Sequence, residues 1–282
     1  MSLLFGVAAL GSAVLHATWS AIAYRFREQA LGFACMSAIT VLVGAVLVVL
    51  HPVVDSEAIP LLVASVLLHV VYTITLMRLN ELAEFSALYP LSRGLSPVVV
   101  AAVAYAVARD KLTPGELAGF GLVITGLLMI VSAKVSLARA NLRGLALALA
   151  VGLLIASYTV VDGVGVRASD SVLGFVGYLS VGQGLLTLAF VLGSRSITTS
   201  RLWREGPWLL ATAVGALSSA SYGLMIWAQT LGPLAVAAAL RETSIVFAAV
   251  IGVVFLHEKA GARTLSGAGV IVAGIMVMNL TY

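Results

Sequence analysis

Ten long apolar stretches follow one another through this chain of 282 residues, parted only by short polar breaks. They cover residues 3–23, 30–50, 59–78, 86–108, 115–133, 144–164, 172–193, 207–228, 235–256 and 264–281. A helix needs about 20 apolar residues to cross the hydrocarbon core of a bilayer. Within lipid every backbone N–H and C=O must find its partner inside the protein, so only helices and closed barrels can span. Barrel strands alternate in polarity over about ten residues, whereas these runs are continuous. The sequence therefore predicts an all-α integral membrane protein with ten transmembrane helices. Composition agrees, at 61% hydrophobic and 10% charged residues, where a soluble domain carries about 25% charged. The first apolar run has neither a basic leader nor a small-residue cleavage site, so it reads as a span and not as a signal peptide. None of the breaks is long enough for a soluble domain, and a multi-pass protein of a cell (inner) membrane is expected.

The ten stretches form two sets of five. A shift of 148 residues lays Arg93 on Arg241, Ser96 on Ser244, Lys111 on Lys259, and Gly119, Gly121 and Gly126 on Gly267, Gly269 and Gly274. A shift of 139 lays His16-Ala17-Thr18-Trp19-Ser20 on Ile155-Ala156-Ser157-Tyr158-Thr159, and Tyr72 falls near Tyr222. The predicted division is 1–138 and 139–282. Five is odd, so the second unit must enter the membrane inverted. Units of that kind are related by a pseudo-twofold axis in the membrane plane, and their solute sites lie near it.

Arg93 and Arg241 stand at equivalent positions inside apolar spans. A charge there costs at least about 2.5–3.5 kcal/mol, and a guanidinium offers a planar fork that pairs carboxylate or phosphoryl oxygens. The pair is expected to hold an anionic group in a central cavity. The structural alternative is neutralisation by a neighbouring carboxylate, although Glu242 adjoins Arg241 and residues i and i+1 do not share a helix face. His16, His69 and Glu242 are candidates for proton coupling, since histidine titrates near physiological pH and a buried carboxylate can hold a proton. A hydrogen bond to a facing helix is the alternative for each histidine. Trp19, Tyr72, Tyr89, Tyr158 and Trp227 are candidates for lining the cavity by stacking and hydroxyl bonds, against a place in the interfacial aromatic belt. The repeated glycines are expected to let helix backbones approach closely.

Several functions are excluded or left without support. The single cysteine, Cys35, rules out an internal disulfide and a cysteine-based zinc cluster. No catalytic triad, metal cluster or phosphate loop is legible, so no enzyme activity, cofactor or metal is expected. The net charge of +4 resides in loops and implies no nucleic-acid partner. Most of the sixteen Lys and Arg lie in loops after odd-numbered spans, against Arg109, Lys111 and Arg167 on the other face. By the positive-inside rule both termini are then outside.

The chain resembles the ten-helix EamA-type permeases of the drug/metabolite transporter superfamily over its whole length. The resemblance rests on the duplicated five-helix unit, on His16-Ala17-Thr18-Trp19-Ser20, and on Tyr89-Pro90-Leu91-Ser92-Arg93-Gly94-Leu95-Ser96-Pro97. It rests also on Asp110-Lys111 and Glu258-Lys259 after the fourth and ninth spans, and on the Gly-rich last span of each unit. The first motif in such permeases ends in Asn where this chain has Ser20, and Asp110 stands where Glu is usual. The Tyr-Pro-Leu-Ser-Arg-Gly form also looks like a branch associated with phosphonate use. The resemblance implies termini in the cytoplasm, opposite to the loop charge. It also implies export of small polar solutes such as amino acids or related metabolites by alternating access. A flippase for a phosphorylated or polyprenyl-linked lipid is the alternative reading. The expected partners are a small-molecule substrate and membrane lipids, with a monomer expected and a homodimer left open.

Overall fold

The computed structural model describes residues 2–23, 25–82, 96–106, 112–134, 142–194, 197–248, 250 and 261–280. Its helices are α1 (Leu3–Ala23), α2 (Gln29–Leu50), α3 (Ile59–Leu82), α4 (Ser96–Ala106), α5 (Pro114–Lys134), α6 (Leu142–Arg167), α7 (Val172–Gly193), α8 (Thr199–Glu205), α9 (Trp208–Leu231), α10 (Leu234–Glu242) and α11 (Ala262–Leu280). Among the described residues there is no β-strand.

Local chemistry sets the helix ends. Thr113 Oγ1 accepts from the Glu116 N–H at 3.2 Å and Glu116 Oε2 accepts from the Thr113 N–H at 2.8 Å, a capping box with Pro114 in the first turn. The Ser171 and Thr198 hydroxyls cap α7 and α8. Pro207 and Pro233 precede α9 and α10, since proline fits a helix start but not its interior. On α8, Arg201 donates to Glu205 at 2.9 Å and forks onto Glu28 at 2.6 and 3.1 Å, tying α8 to the start of α2. Those bonds raise the Arg201 pKa further above its usual value.

Six of the helices are long and apolar enough to cross a membrane. Their outer faces are apolar as well: Leu42, Val49, Leu67 and Leu209 are all largely exposed. Bare apolar surface of that extent suits lipid and not water. The fold is therefore an all-helical membrane bundle.

The most extensive pairings are α5 with α11, α2 with α7, α1 with α9, and α3 with α6. In repeat terms, fifth and tenth spans pair as mates, as do second and seventh. First with eighth and sixth with third are one pairing made twice. A twofold exchange of the two sets of five leaves this scheme unchanged. Small residues permit the close approaches. A Cβ on Gly126 would come 2.6 Å from the Gly267 carbonyl, and one on Gly119 would come 2.6 Å from the Gly274 carbonyl. Ser12 and Ser221 each donate to the other's carbonyl at 2.8 Å, joining α1 to α9.

Three expectations need correction. The ninth span is not one continuous helix: α10 ends at Glu242, Thr243 forms a turn, and helix resumes over 244–248. The Thr243 hydroxyl bonds the Leu240 carbonyl, the local competition with helix backbone that Ser and Thr provide. The break expected between Ser194 and Glu205 contains the short helix α8. Gly121 and Gly269, expected to pack helices with their neighbours, have nothing within 4 Å of a built Cβ. They lie one to two residues off the α5–α11 contact line.

Candidate functional site

A cavity at the centre of the bundle draws on both halves of the chain. It is lined by His16 and Trp19 of α1, Ser37 and Thr40 of α2, and His69, Tyr72 and Thr73 of α3. The second half contributes Tyr158 of α6, Ser180, Gln183 and Thr187 of α7, Ser218, Ser219 and Tyr222 of α9, and Arg241 of α10. Centres of water-sized molecules have about 90 Å³ available, well under the roughly 300–1,000 Å³ of pockets for drug-sized ligands. This conformation suits a small solute.

The lining residues cluster toward the end of the bundle where α1, α3 and α7 finish. The other end is packed shut. There Phe5 lies against Gly232, Leu234 against Gly163, and Phe175 against Gly165. Arg167 donates to the Gln229 carbonyl at 2.8 Å and the Gly232 carbonyl at 2.6 Å, binding the end of α6 to the end of α9.

Arg241 is 6% exposed. Its guanidinium carbon lies 5.2 Å from the centre of the Tyr222 ring, a cation–π arrangement. Its Nε has no hydrogen-bond partner, and among the described residues no carboxylate forms an ion pair with it. The neutralisation considered from sequence is not what the described residues show. The helix also stops here: Arg241 and Glu242 close α10 just before the Thr243 turn. Broken spans are where membrane carriers place ion and solute contacts.

Behind the cavity wall lies a buried polar group that the sequence reading passed over. Asp162 of α6 is fully buried and accepts from the Ser65 hydroxyl and the Tyr222 hydroxyl. His69 Nε2 stands 3.9 Å from its carboxylate. The His69 ring also lies against Tyr158 at a centroid distance of 4.1 Å and meets Tyr222 edge-on at 5.2 Å. The signal was available, because Asp162 is an ionisable residue within an apolar span. It was missed because it has no mate: at the offset of 139 it falls on Ala23. Ser65 carries no signal by itself, and only packing gives it a role.

The other expected residues divide clearly. His16, Trp19, Tyr72, Tyr158 and Arg241 share the cavity, with the His16 and Trp19 rings edge-to-face at 4.8 Å. His69 lines it too. Glu242 is buried but is not part of the wall. Trp227, a candidate lining residue, is 36% exposed and lies outside the cavity, because its position on α9 faces away from Tyr222. Arg93 and Tyr89 lie outside the described residues.

A lipid-facing helical bundle folded around a cavity lined by polar and aromatic side chains from both halves has the build of a membrane carrier. Comparison with known proteins agrees. The profile of the EamA-like transporter family matches residues 142–280, so this segment is an EamA-like domain, consistent with a membrane transporter of the drug/metabolite type. No curated protein matches the chain. Among solved structures, 29 chains match. One crystal structure aligns over 99% of both chains with a TM-score of 0.78 at 17% identity, a likeness of fold alone.

Proposed function

We propose that this protein is a secondary transporter of a cell (inner) membrane for a small polar organic solute bearing negative charge, such as an amino acid or a related metabolite. It works by alternating access as a permease without covalent chemistry or cofactor, and it acts as an exporter by its family resemblance. The observation that carries the reading is Arg241, a buried cation on the cavity wall with no ion-pair partner among the described residues. An arginine in that state is held ready for an anion. Trp19, Tyr72 and Tyr158 add faces and hydroxyls for the organic part of the solute. Arg93, its mate at the offset of 148, is the second arginine of the proposal. The units 1–138 and 139–282 are the two inverted repeats of the proposal, one bundle of helices rocks around the cavity, and the bilayer lipids are the only other partners required.

Counterflow in proteoliposomes tests this, with labelled neutral, aromatic and acidic amino acids and an aminoalkylphosphonate. Exchange of an anionic member is expected, lost in Arg241→Gln while the protein stays monodisperse in detergent. Undiminished exchange in that variant would sink the anion reading.

A further inference from the structure

The tautomer of His69 can be read from its neighbours. Its Nδ1 lies 3.0 Å from the Ser65 carbonyl oxygen. A carbonyl can only accept, so Nδ1 carries a hydrogen. In the neutral ring Nε2 then carries the lone pair. That nitrogen has no hydrogen-bond partner and stands 3.9 Å from Asp162 Oδ2. Two acceptors facing each other in a dry interior repel until one of them takes a proton, which then gives either a carboxylic acid beside an imidazole or an imidazolium beside a carboxylate. The arrangement sets two acceptors where one shared proton can bind.

The same group is wired to the cavity. Tyr222 donates its hydroxyl to Asp162 and lies with its ring under Arg241. His69 is at once a cavity residue and the neighbour of Asp162. The groups facing Asp162 are Ser65 and His69 from α3, Tyr222 from α9 and, across that ring, Arg241 from α10. Tyr158 of α6 itself lies on the His69 ring. Glu242 is buried beside Arg241 in sequence and has a partner of its own.

We infer that the His69–Asp162 pair is a proton-binding site whose occupancy is coupled to the anion held at Arg241, so that one proton accompanies each anion. The inference rests on the anion-transport reading above. In the empty cavity the positive charge of Arg241, across Tyr222, holds Asp162 in its charged form against that repulsion. A bound anion takes over as the counter-charge of Arg241 and leaves a second negative charge in the interior. A proton is then taken up at the His69–Asp162 pair. It forms an N–H bond on His69 or an O–H bond on Asp162, and no other covalent bond forms or breaks. Loaded and empty sites then carry equal net charge, which lets either cross the closed intermediate. The pair joins His69 of the first half to Asp162 of the second, and Asp162 falls on Ala23 at the offset of 139, so the repeat by itself does not produce it.

The test is calorimetric titration of the purified full chain with glutamate and with an aminoalkylphosphonate, in buffers of different ionisation heat. The number of protons taken up per anion bound follows by linkage. Wild-type protein is expected to take up about one proton per bound anion. Asp162→Asn, which keeps the shape and one of the two acceptors for the Ser65 and Tyr222 hydroxyls, is expected to bind the anion with almost no uptake. Should that variant fail to fold, His69→Gln serves, and the wild-type value alone already decides. Binding by wild type without uptake would overturn the coupling and leave the anion reading intact, and so would full uptake in folded Asp162→Asn. No binding of either probe to wild type would overturn the anion reading and the coupling with it.

Discussion

A buried guanidinium is tolerated in an apolar bundle when a carboxylate neutralises it, or when weaker contacts hold it for a ligand. Arg241 follows the second route, with Tyr222 beneath it. The two ends of Tyr222 then have separable roles. Tyr222→Phe keeps the ring under Arg241 and removes the hydroxyl that Asp162 accepts. Losing a donor to a buried carboxylate costs about 1–3 kcal/mol, so thermal unfolding in detergent is expected at lower temperature with anion affinity nearly kept. Tyr222→Leu is expected to lower both. Equal thermal midpoints for wild type and Tyr222→Phe would contradict this account. At this scale the sequence pointed first to residues that have a mate. Trp19 and Tyr158 coincide in the repeat and both line the cavity. Asp162, Ser65 and His69 form a cluster across the two halves that only three-dimensional packing assembles.

Helix termini and helix contacts were legible to different degrees. Thr113-Pro114-Gly115-Glu116 announces the start of α5 by its own chemistry. The break after Glu242 has no such announcement, since Thr243-Ser244 interrupts a run that is otherwise apolar. Glycine was legible as a class but not by position. Gly126 and Gly267 lie backbone to backbone, whereas Gly121 faces open space. Gly126→Val is therefore expected to push α5 and α11 apart and to cost about 1–3 kcal/mol of stability. Gly121→Ala is expected to leave stability unchanged or slightly improved, as alanine favours helix. Parallel thermal shift measurements on the two variants check the difference, and an equal loss in both would show that the α5–α11 contact is misassigned.

Across the whole molecule the two ends of the bundle are unlike. One end carries the cavity. The other is shut by Phe5, Leu234 and the bonds from Arg167 to the carbonyls closing α9. Alternating access requires that end to open, and Arg167 must then release Gln229 and Gly232. Arg167→Ala is expected to populate the opposite opening. In a Cys35→Ser background, a cysteine introduced by Thr159→Cys should then react faster with a membrane-impermeant maleimide than it does with Arg167 present. An unchanged labelling rate would mean that Arg167 does not hold that end closed.

By itself the sequence determined the all-helical membrane fold, because that follows from local apolar length, and residues repeating at fixed offsets predict a duplicated unit. It also singled out Arg241, since the burial of a charge in an apolar run is evident one span at a time. Tertiary structure alone decided which mates touch, where the ninth span breaks, which glycines matter, and that His69 faces Asp162. Those facts depend on the rotation of each helix about its axis. That rotation is fixed by packing between helices whose apolar faces look alike in every direction, so no single span carries the information.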